Sequence, residues 1–224
     1  MFTGMVAFPK VSGSAILNTA ESSYQAFVAG MNLGVTRHFF SWAQQAGGPG
    51  ALESVELAAD PASGRLTLAG TVRTGVTYFP TGRAAPDDSI AVTGDDTLTL
   101  FVSRLTTDDT YIDWVQTAGG VGLSQPRALA LTPDGDVLVG GRFGSYVALP
   151  QTGGGSIALS AASAQTYGFV AAVNADDSAF AWATSVSSTA TDYVNGLAVA
   201  ADGTTLATGG FEGALTLPTA SGAI

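Results

Sequence analysis

The sequence predicts an all-β fold, and three observations support this prediction. Apolar and polar residues alternate with a period of two in short segments such as 65–68 and 136–139, as they do in half-buried strands. Asp-Gly pairs at 134–135 and 202–203 join two such segments each, which is a strong hairpin signal. Helix signals are few, because charge pairs at helical spacing are scarce and the best helical segment, 158–164, is too short to stand alone.

The composition excludes several classes of protein. The chain has 224 residues, of which 46% are hydrophobic and 12% charged, too apolar and too weakly charged for a disordered protein. It has no cysteine, which excludes a disulfide framework and a cysteine-ligated metal. Only 8 residues are basic against 18 acidic ones, so we expect no nucleic-acid partner. No apolar run approaches the ~20 residues of a membrane helix, so we expect no membrane insertion.

Landmark residues recur along the chain about every 70 positions. The three tryptophans lie 72 and 68 residues apart, at Trp42, Trp114 and Trp182. A Phe-Val pair precedes each of them, at 27–28, 101–102 and 169–170. An apolar residue precedes proline four times, in the pairs Phe8-Pro9, Phe79-Pro80, Leu149-Pro150 and Leu217-Pro218. These landmarks divide the chain into the end of one unit with an inserted loop (1–26), two complete units (27–100 and 101–168) and an incomplete third (169–224).

Each unit carries about four strands with tight hairpins, which is the content of one four-stranded β-propeller blade. The unit is longer than the usual ~40–50 residues of a blade because a Gly-, Ser-, Ala- and Thr-rich insertion follows the repeated proline. We expect these insertions to project as loops that offer a binding surface. Residues 2–16 match the phase of 211–224, so we expect part of a larger propeller or repeat array, or closure by association with further copies of the chain.

The landmarks also carry a family resemblance. The third unit combines Phe169-Val170-Ala171, Trp182, an apolar segment from Leu197 to Gly203, and Gly210-Phe211-Glu212-Gly213. This pattern resembles the bacterial β-propeller repeat of large secreted and surface proteins. The first unit departs from it at the longer turn 60–64 and at Val72, where the others have Phe.

The resemblance implies a non-catalytic module of a secreted or cell-surface protein. Such a module would act as a structural or a protein- or carbohydrate-recognition scaffold, and the family has no shared catalytic residues. Other repeats, copies of the same chain, or a protein or glycan ligand would be its partners.

Some residues are candidates for a functional site. Four carboxylates lie within ten residues of one loop and offer enough oxygens for Ca²⁺, although without an EF-hand pattern: Asp87, Asp88, Asp95 and Asp96. His38 is the one possible neutral-pH base, but it has no triad spacing, and we expect it at the surface. The tryptophans could stack against ligands, but packing between neighbouring units is a better explanation of why each unit has one tryptophan.

Two alternatives remain open from the sequence. In the first, the chain belongs to a secreted hydrolase or lyase whose arginines converge with Asp113 or Asp192; these arginines are Arg37, Arg73, Arg104, Arg127 and Arg142. They fall at different phases of the repeat, so we predict no catalytic residues and no cofactor other than the possible calcium. In the second, the chain is a subunit of an extracellular filament or appendage.

Overall fold

The computed structural model confirms the all-β prediction. It describes residues 5–9, 14–18, 24–34, 38–60, 63–80, 89–94, 98–105, 111–162, 165–176, 178–215, 217–219 and 222–223. These residues form twenty β-strands and no helix.

The strands follow one another along the chain with short connections. The first ten are β1 (Met5–Pro9), β2 (Ser14–Asn18), β3 (Ala26–Leu33), β4 (His38–Ala46), β5 (Leu52–Ala59), β6 (Leu66–Val72), β7 (Gly75–Pro80), β8 (Ser89–Gly94), β9 (Thr99–Leu105) and β10 (Ile112–Val121). The second ten are β11 (Ser124–Leu131), β12 (Val137–Gly144), β13 (Tyr146–Pro150), β14 (Ser156–Ser160), β15 (Thr166–Val173), β16 (Phe180–Val186), β17 (Tyr193–Val199), β18 (Thr205–Gly210), β19 (Pro218–Thr219) and β20 (Gly222–Ala223).

Local sequence signals place the tight turns correctly. Gly135 and Gly203 have φ of +90° and +84°, a region that favours glycine, and each closes the turn predicted at its Asp-Gly pair. Their backbone N–H groups donate to the carbonyls of Thr132 and Ala200, respectively. In the segment 158–164, which was judged too short for a helix, residues 158–160 belong to β14, and β14 pairs with β13 over its whole length.

Two meanders of four antiparallel strands form the centre of the structure. One has the order β5-β6-β9-β10 and the other β11-β12-β15-β16. In each, a further hairpin is inserted between the second and third strands: β7–β8 in the first and β13–β14 in the second. The predicted unit boundaries at 100/101 and 168/169 therefore fall inside the third strand of a sheet.

The remaining strands repeat parts of this arrangement. The hairpin β3–β4 corresponds to the second half of a meander, since its register shifts beside Trp42 as those of β9–β10 and β15–β16 do beside their tryptophans. The hairpin β17–β18 corresponds to a first half, and its bulge between Val194 and Gly196 matches the one between Pro126 and Ala128 in β11–β12. The described strands do not close into a ring or barrel.

The sheets stack face to face in chain order around two apolar clusters. One cluster lies between β3–β4 and the first meander, and the other lies between the two meanders. Strand β9 is buried along its whole length because its residues alternate between them. Leu100 and Val102 face the second meander, whereas Phe101 and Leu105 face β3–β4. Burial on both faces explains why β9 lacks the polar alternation of a surface strand.

The inserted hairpins do not project as loops, contrary to the expectation from sequence. Strand β13 pairs with β10 of the preceding meander, which makes a six-stranded sheet. The residue before the repeated proline is fully buried in both of these hairpins, at Phe79 and Leu149, whereas Leu217 before Pro218 is 37% exposed. The Phe79 ring lies edge-on to Phe101, with 4.9 Å between ring centroids. The Gly-, Ser-, Ala- and Thr-rich composition suggested loops here, but the buried Phe79 and Leu149 pack these two hairpins against the neighbouring sheets.

Candidate functional site

A cleft lies where three edge strands end together. Strands β5, β11 and β17 each lie at the edge of their own sheet, and they follow one another around the cleft. Its volume is about 600 Å³, and its walls are residues 57–60, 129–133 and 199–201. The three walls are equivalent, because each is the end of the first strand of a sheet and the start of its first turn.

The strand edges direct backbone groups into this cleft. The N–H groups of Asp60, Thr132 and Ala200 donate, at 2.8, 2.9 and 2.9 Å, to the carbonyls of the residues that directly precede the second strand of their own sheet: Arg65, Asp136 and Thr204. Backbone groups in an antiparallel strand alternate in direction. The neighbouring residues therefore direct their N–H and C=O groups away from their own sheet and toward the cleft. They are Leu57, Ala59, Leu129, Leu131 and Val199.

Small side chains keep the cleft open, since five of its lining residues are alanines: Ala58, Ala59, Ala130, Ala200 and Ala201. The polar lining groups are held by their own turns. The Asp60 carboxylate accepts from the N–H of Ser63 at 3.2 Å, and the Thr132 hydroxyl accepts from that of Asp136 at 3.0 Å. The lining residues include neither an aromatic ring nor a paired nucleophile and base. This arrangement is suited to binding through backbone hydrogen bonds and apolar contact.

An aspartate beside the mouth of the cleft has a perturbed pKa. The backbone N–H of Thr204 donates to the Asp202 carboxylate at 2.9 Å and, together with the Thr204 side chain, lowers the pKa of this carboxyl. Asp202 therefore stays ionised in the turn that follows β17.

Arg104 is a buried charged side chain that joins two meanders. It starts on β9, lies over the Trp114 ring at 5.3 Å from the centroid, and donates to the carbonyls of Ala175 and Gly135 at 3.0 and 3.5 Å. Burial and then the nearby Arg65 lower the pKa of Arg104, against the opposing effect of three aspartates. Those aspartates are Asp113, Asp176 and Asp136.

The arginines that were candidates for an active site do not share one carboxylate. Arg73 forms an ion pair with Glu53 at 3.2 Å, and Arg142 donates to Gln125 at 3.0 Å. Arg127 donates to Asn195 at 3.2 Å and lies over the ring of Tyr193. Burial and then Arg127 lower the pKa of Arg142. Arg37 lies outside the described residues.

The two aspartates of that hypothesis also lie in different surroundings. Asp113 is on β10 near Arg104, as its effect on the pKa of Arg104 shows. Asp192 is fully buried in the connection before β17, where one carboxylate oxygen accepts from the N–H of Ser188 at 2.6 Å. Its other carboxylate oxygen has no hydrogen-bond partner among the described residues.

The tryptophans follow the packing prediction at two of three positions. Trp42 and Trp114 pack against the two apolar clusters between sheets. Trp182 is 43% exposed on β16. His38 is exposed at the start of β4, as predicted.

The calcium candidates Asp87, Asp88, Asp95 and Asp96 lie outside the described residues. Within the described ranges, no three His, Asp or Glu side chains are grouped so that they could hold a metal ion. The same ranges contain no helix long and apolar enough to cross a membrane. Neither a scan against models of protein families nor a search of curated proteins finds a match for this chain.

Proposed function

We propose that the chain is a section of a β-propeller that serves as a non-catalytic scaffold and binds an extended polypeptide in the cleft between β5, β11 and β17. Its place would be a bacterial secreted or cell-surface protein, in line with the sequence resemblance. The observation that supports the scaffold best is the convergence of three equivalent strand ends on one cleft.

The order of the sheets favours a propeller. Successive meanders stack face to face, and their first strands lie side by side while their fourth strands lie at the other side of the sheet. A propeller has this arrangement, with first strands around a central channel and fourth strands outside. The inserted hairpins occupy the periphery, because β13 pairs with the fourth strand β10 of the preceding meander.

The chemistry of the cleft favours a polypeptide over a carbohydrate. Sugars are commonly held by aromatic faces, and the lining residues include none. Alternate residues such as Leu129 and Leu131 instead direct backbone donors and acceptors into the cleft. An extended peptide can bond to such an edge as an added strand, with its side chains beside the alanines.

A peptide library tests this function. Peptides displayed on phage would be selected on the purified chain, and their binding measured by fluorescence anisotropy. The variant Ala130→Trp fills the cleft and should weaken binding by at least about tenfold. Ala162→Trp, at an exposed alanine outside the cleft, is the matched control and should bind as the parent chain does. The proposal is overturned if no peptide is selected, or if both variants bind equally well.

A further inference from the structure

We infer that Arg127 and Arg142 form a binding site for a tetrahedral dianion, such as the phosphate group of a phosphate monoester. The two arginines lie on neighbouring strands of the second meander, on β11 and β12. This inference goes beyond the proposed binding of a polypeptide, because neither arginine lines the cleft.

The strand register brings the two arginines together. Gln125 of β11 pairs with Arg142 of β12, and Arg127 lies two residues farther along β11, at the bulge between Pro126 and Ala128. Residues in such diagonal positions are about 7–8 Å apart, within the reach of long side chains. The pKa of Arg142 reflects this proximity, because burial and then the positive charge of Arg127 lower it.

Uncharged side chains hold both guanidinium groups in place without neutralising them. Arg142 donates from Nε to the side-chain oxygen of Gln125 at 3.0 Å. Arg127 donates from Nη1 to the side-chain oxygen of Asn195 at 3.2 Å and lies over the ring of Tyr193, 5.2 Å from its centroid. Among the described residues, neither arginine forms an ion pair with a carboxylate.

These contacts leave most N–H donors of the two groups available to a ligand. Arg142 uses the donor on Nε, and within the described part of the chain its Nη1 and Nη2 have no partner. Arg127 uses a single donor on Nη1. A guanidinium group can bind two phosphate oxygens at once through parallel N–H donors. Both side chains are partly exposed, so a ligand can reach them.

The charge of the site determines which anion fits it. Two neighbouring guanidinium groups repel each other, and a ligand with two negative charges removes this repulsion. A phosphate monoester carries a charge of about −1.5 to −2 near neutral pH, whereas a carboxylate carries a single charge. The chain has a net charge of −10, which opposes binding of a long polyanion and favours an isolated phosphate group.

The neighbouring sheets show that the fold does not require this pair of arginines. The first meander and the hairpin β17–β18 have the same register and the same bulge, but with uncharged residues at these positions. The residues equivalent to Arg127 are Val55 and Asn195, and those equivalent to Arg142 are Thr71 and Gly210. Packing of the repeated strands therefore does not explain the two arginines, whereas binding of an anion does.

Isothermal titration calorimetry with inorganic phosphate and methyl phosphate tests the site, in a buffer free of other multivalent anions. We expect saturable binding to a single site on the chain. Sulfate has the same shape and charge and should compete with phosphate, whereas acetate should bind at least about tenfold more weakly. The inference is overturned if phosphate does not bind saturably, if sulfate does not compete, or if acetate binds equally well.

Charge-matched variants test which arginines bind the anion. Arg127→Gln and Arg142→Gln should each weaken phosphate binding at least about tenfold. Arg65→Gln removes the same charge directly before β6, whereas Arg142 lies near the end of the equivalent strand β12, so this control should bind as the parent chain does. Equal binding by all three variants, or equal weakening in all three, overturns the inference.

A second pair of variants separates loss of binding from loss of folding. Arg127→Lys and Arg142→Lys keep the positive charge but lose the planar guanidinium group, so they should fold and still bind phosphate at least about threefold more weakly. Phosphate should raise the melting temperature of the parent chain and of Arg65→Gln more than that of either lysine variant. Lysine variants that bind phosphate as tightly as the parent chain overturn the inference.

Discussion

The buried residue before the repeated proline in each of the hairpins β7–β8 and β13–β14 has the most directly testable energetic role. Leu149 on β13 is fully buried in the cluster between the two meanders. Replacing it with alanine removes three carbon groups, worth roughly 2.4 kcal/mol at about 0.8 kcal/mol each. The strands around it limit collapse of the cavity, so we expect Leu149→Ala to cost about 3–5 kcal/mol of unfolding free energy.

The matched control is Leu33→Ala, because Leu33 on β3 is 77% exposed. Its loss should change the free energy of unfolding by less than about 0.5 kcal/mol. Urea unfolding followed by tryptophan fluorescence measures both variants. The prediction is contradicted if Leu149→Ala and Leu33→Ala have the same urea midpoint, or if Leu149→Ala unfolds at the midpoint of the parent chain. Packing of Leu149 would then not stabilise the contact between the sheets.

Three further variants test other contacts. Arg104→Met should lower the free energy of unfolding in urea by about 2–4 kcal/mol, because two carbonyls and Trp114 lose their partner. Arg104→Lys should not restore this stability, since lysine lacks the planar guanidinium group of arginine. Gly141→Ala should destabilise by more than about 3 kcal/mol because its Cβ would overlap the Gln125 carbonyl, whereas Gly155→Ala should be neutral within about 0.5 kcal/mol. Burial raises the pKa of Glu56, so Glu56→Gln should raise the melting temperature near neutral pH. This gain in melting temperature should vanish as the pH falls through the raised pKa, because Glu56 then becomes uncharged, as glutamine already is. A gain that stays constant with pH contradicts the prediction.

Local signals allowed the strands and several turns to be predicted from sequence. The turn at Asp134-Gly135 depends on a backbone conformation that glycine adopts readily, so nearby residues determine it. The packing of Trp42 and Trp114 was also predictable, because one large aromatic residue per unit is a usual requirement of packing between sheets.

The inserted hairpins were harder to predict because their burial depends on distant strands. Phe79 packs against Phe101, which belongs to a different sheet, while the residues around the insertion have the composition of a loop. The apolar residue before the repeated proline was the signal that could have revealed how Phe79 and Leu149 pack between sheets. The cleft could not be predicted, since it exists only where the ends of β5, β11 and β17 meet.

Arg104 shows a similar limit for charged residues. The sequence suggested that it could converge with other arginines on an active-site carboxylate. Its actual partners are backbone carbonyls on the neighbouring meander, at Gly135 and Ala175. A lone arginine inside the apolar strand 99–105 was a sign of such a contact, but no sequence pattern indicates which carbonyls would face it.

A crystal structure of the chain is the most direct test of the central claim, which is that its sheets are consecutive propeller sheets around a common channel. We predict that β5, β11 and β17 lie side by side around the channel and that the second meander packs on the first. A structure in which the first strands face away from one another, or in which the second meander does not pack on the first, would contradict it.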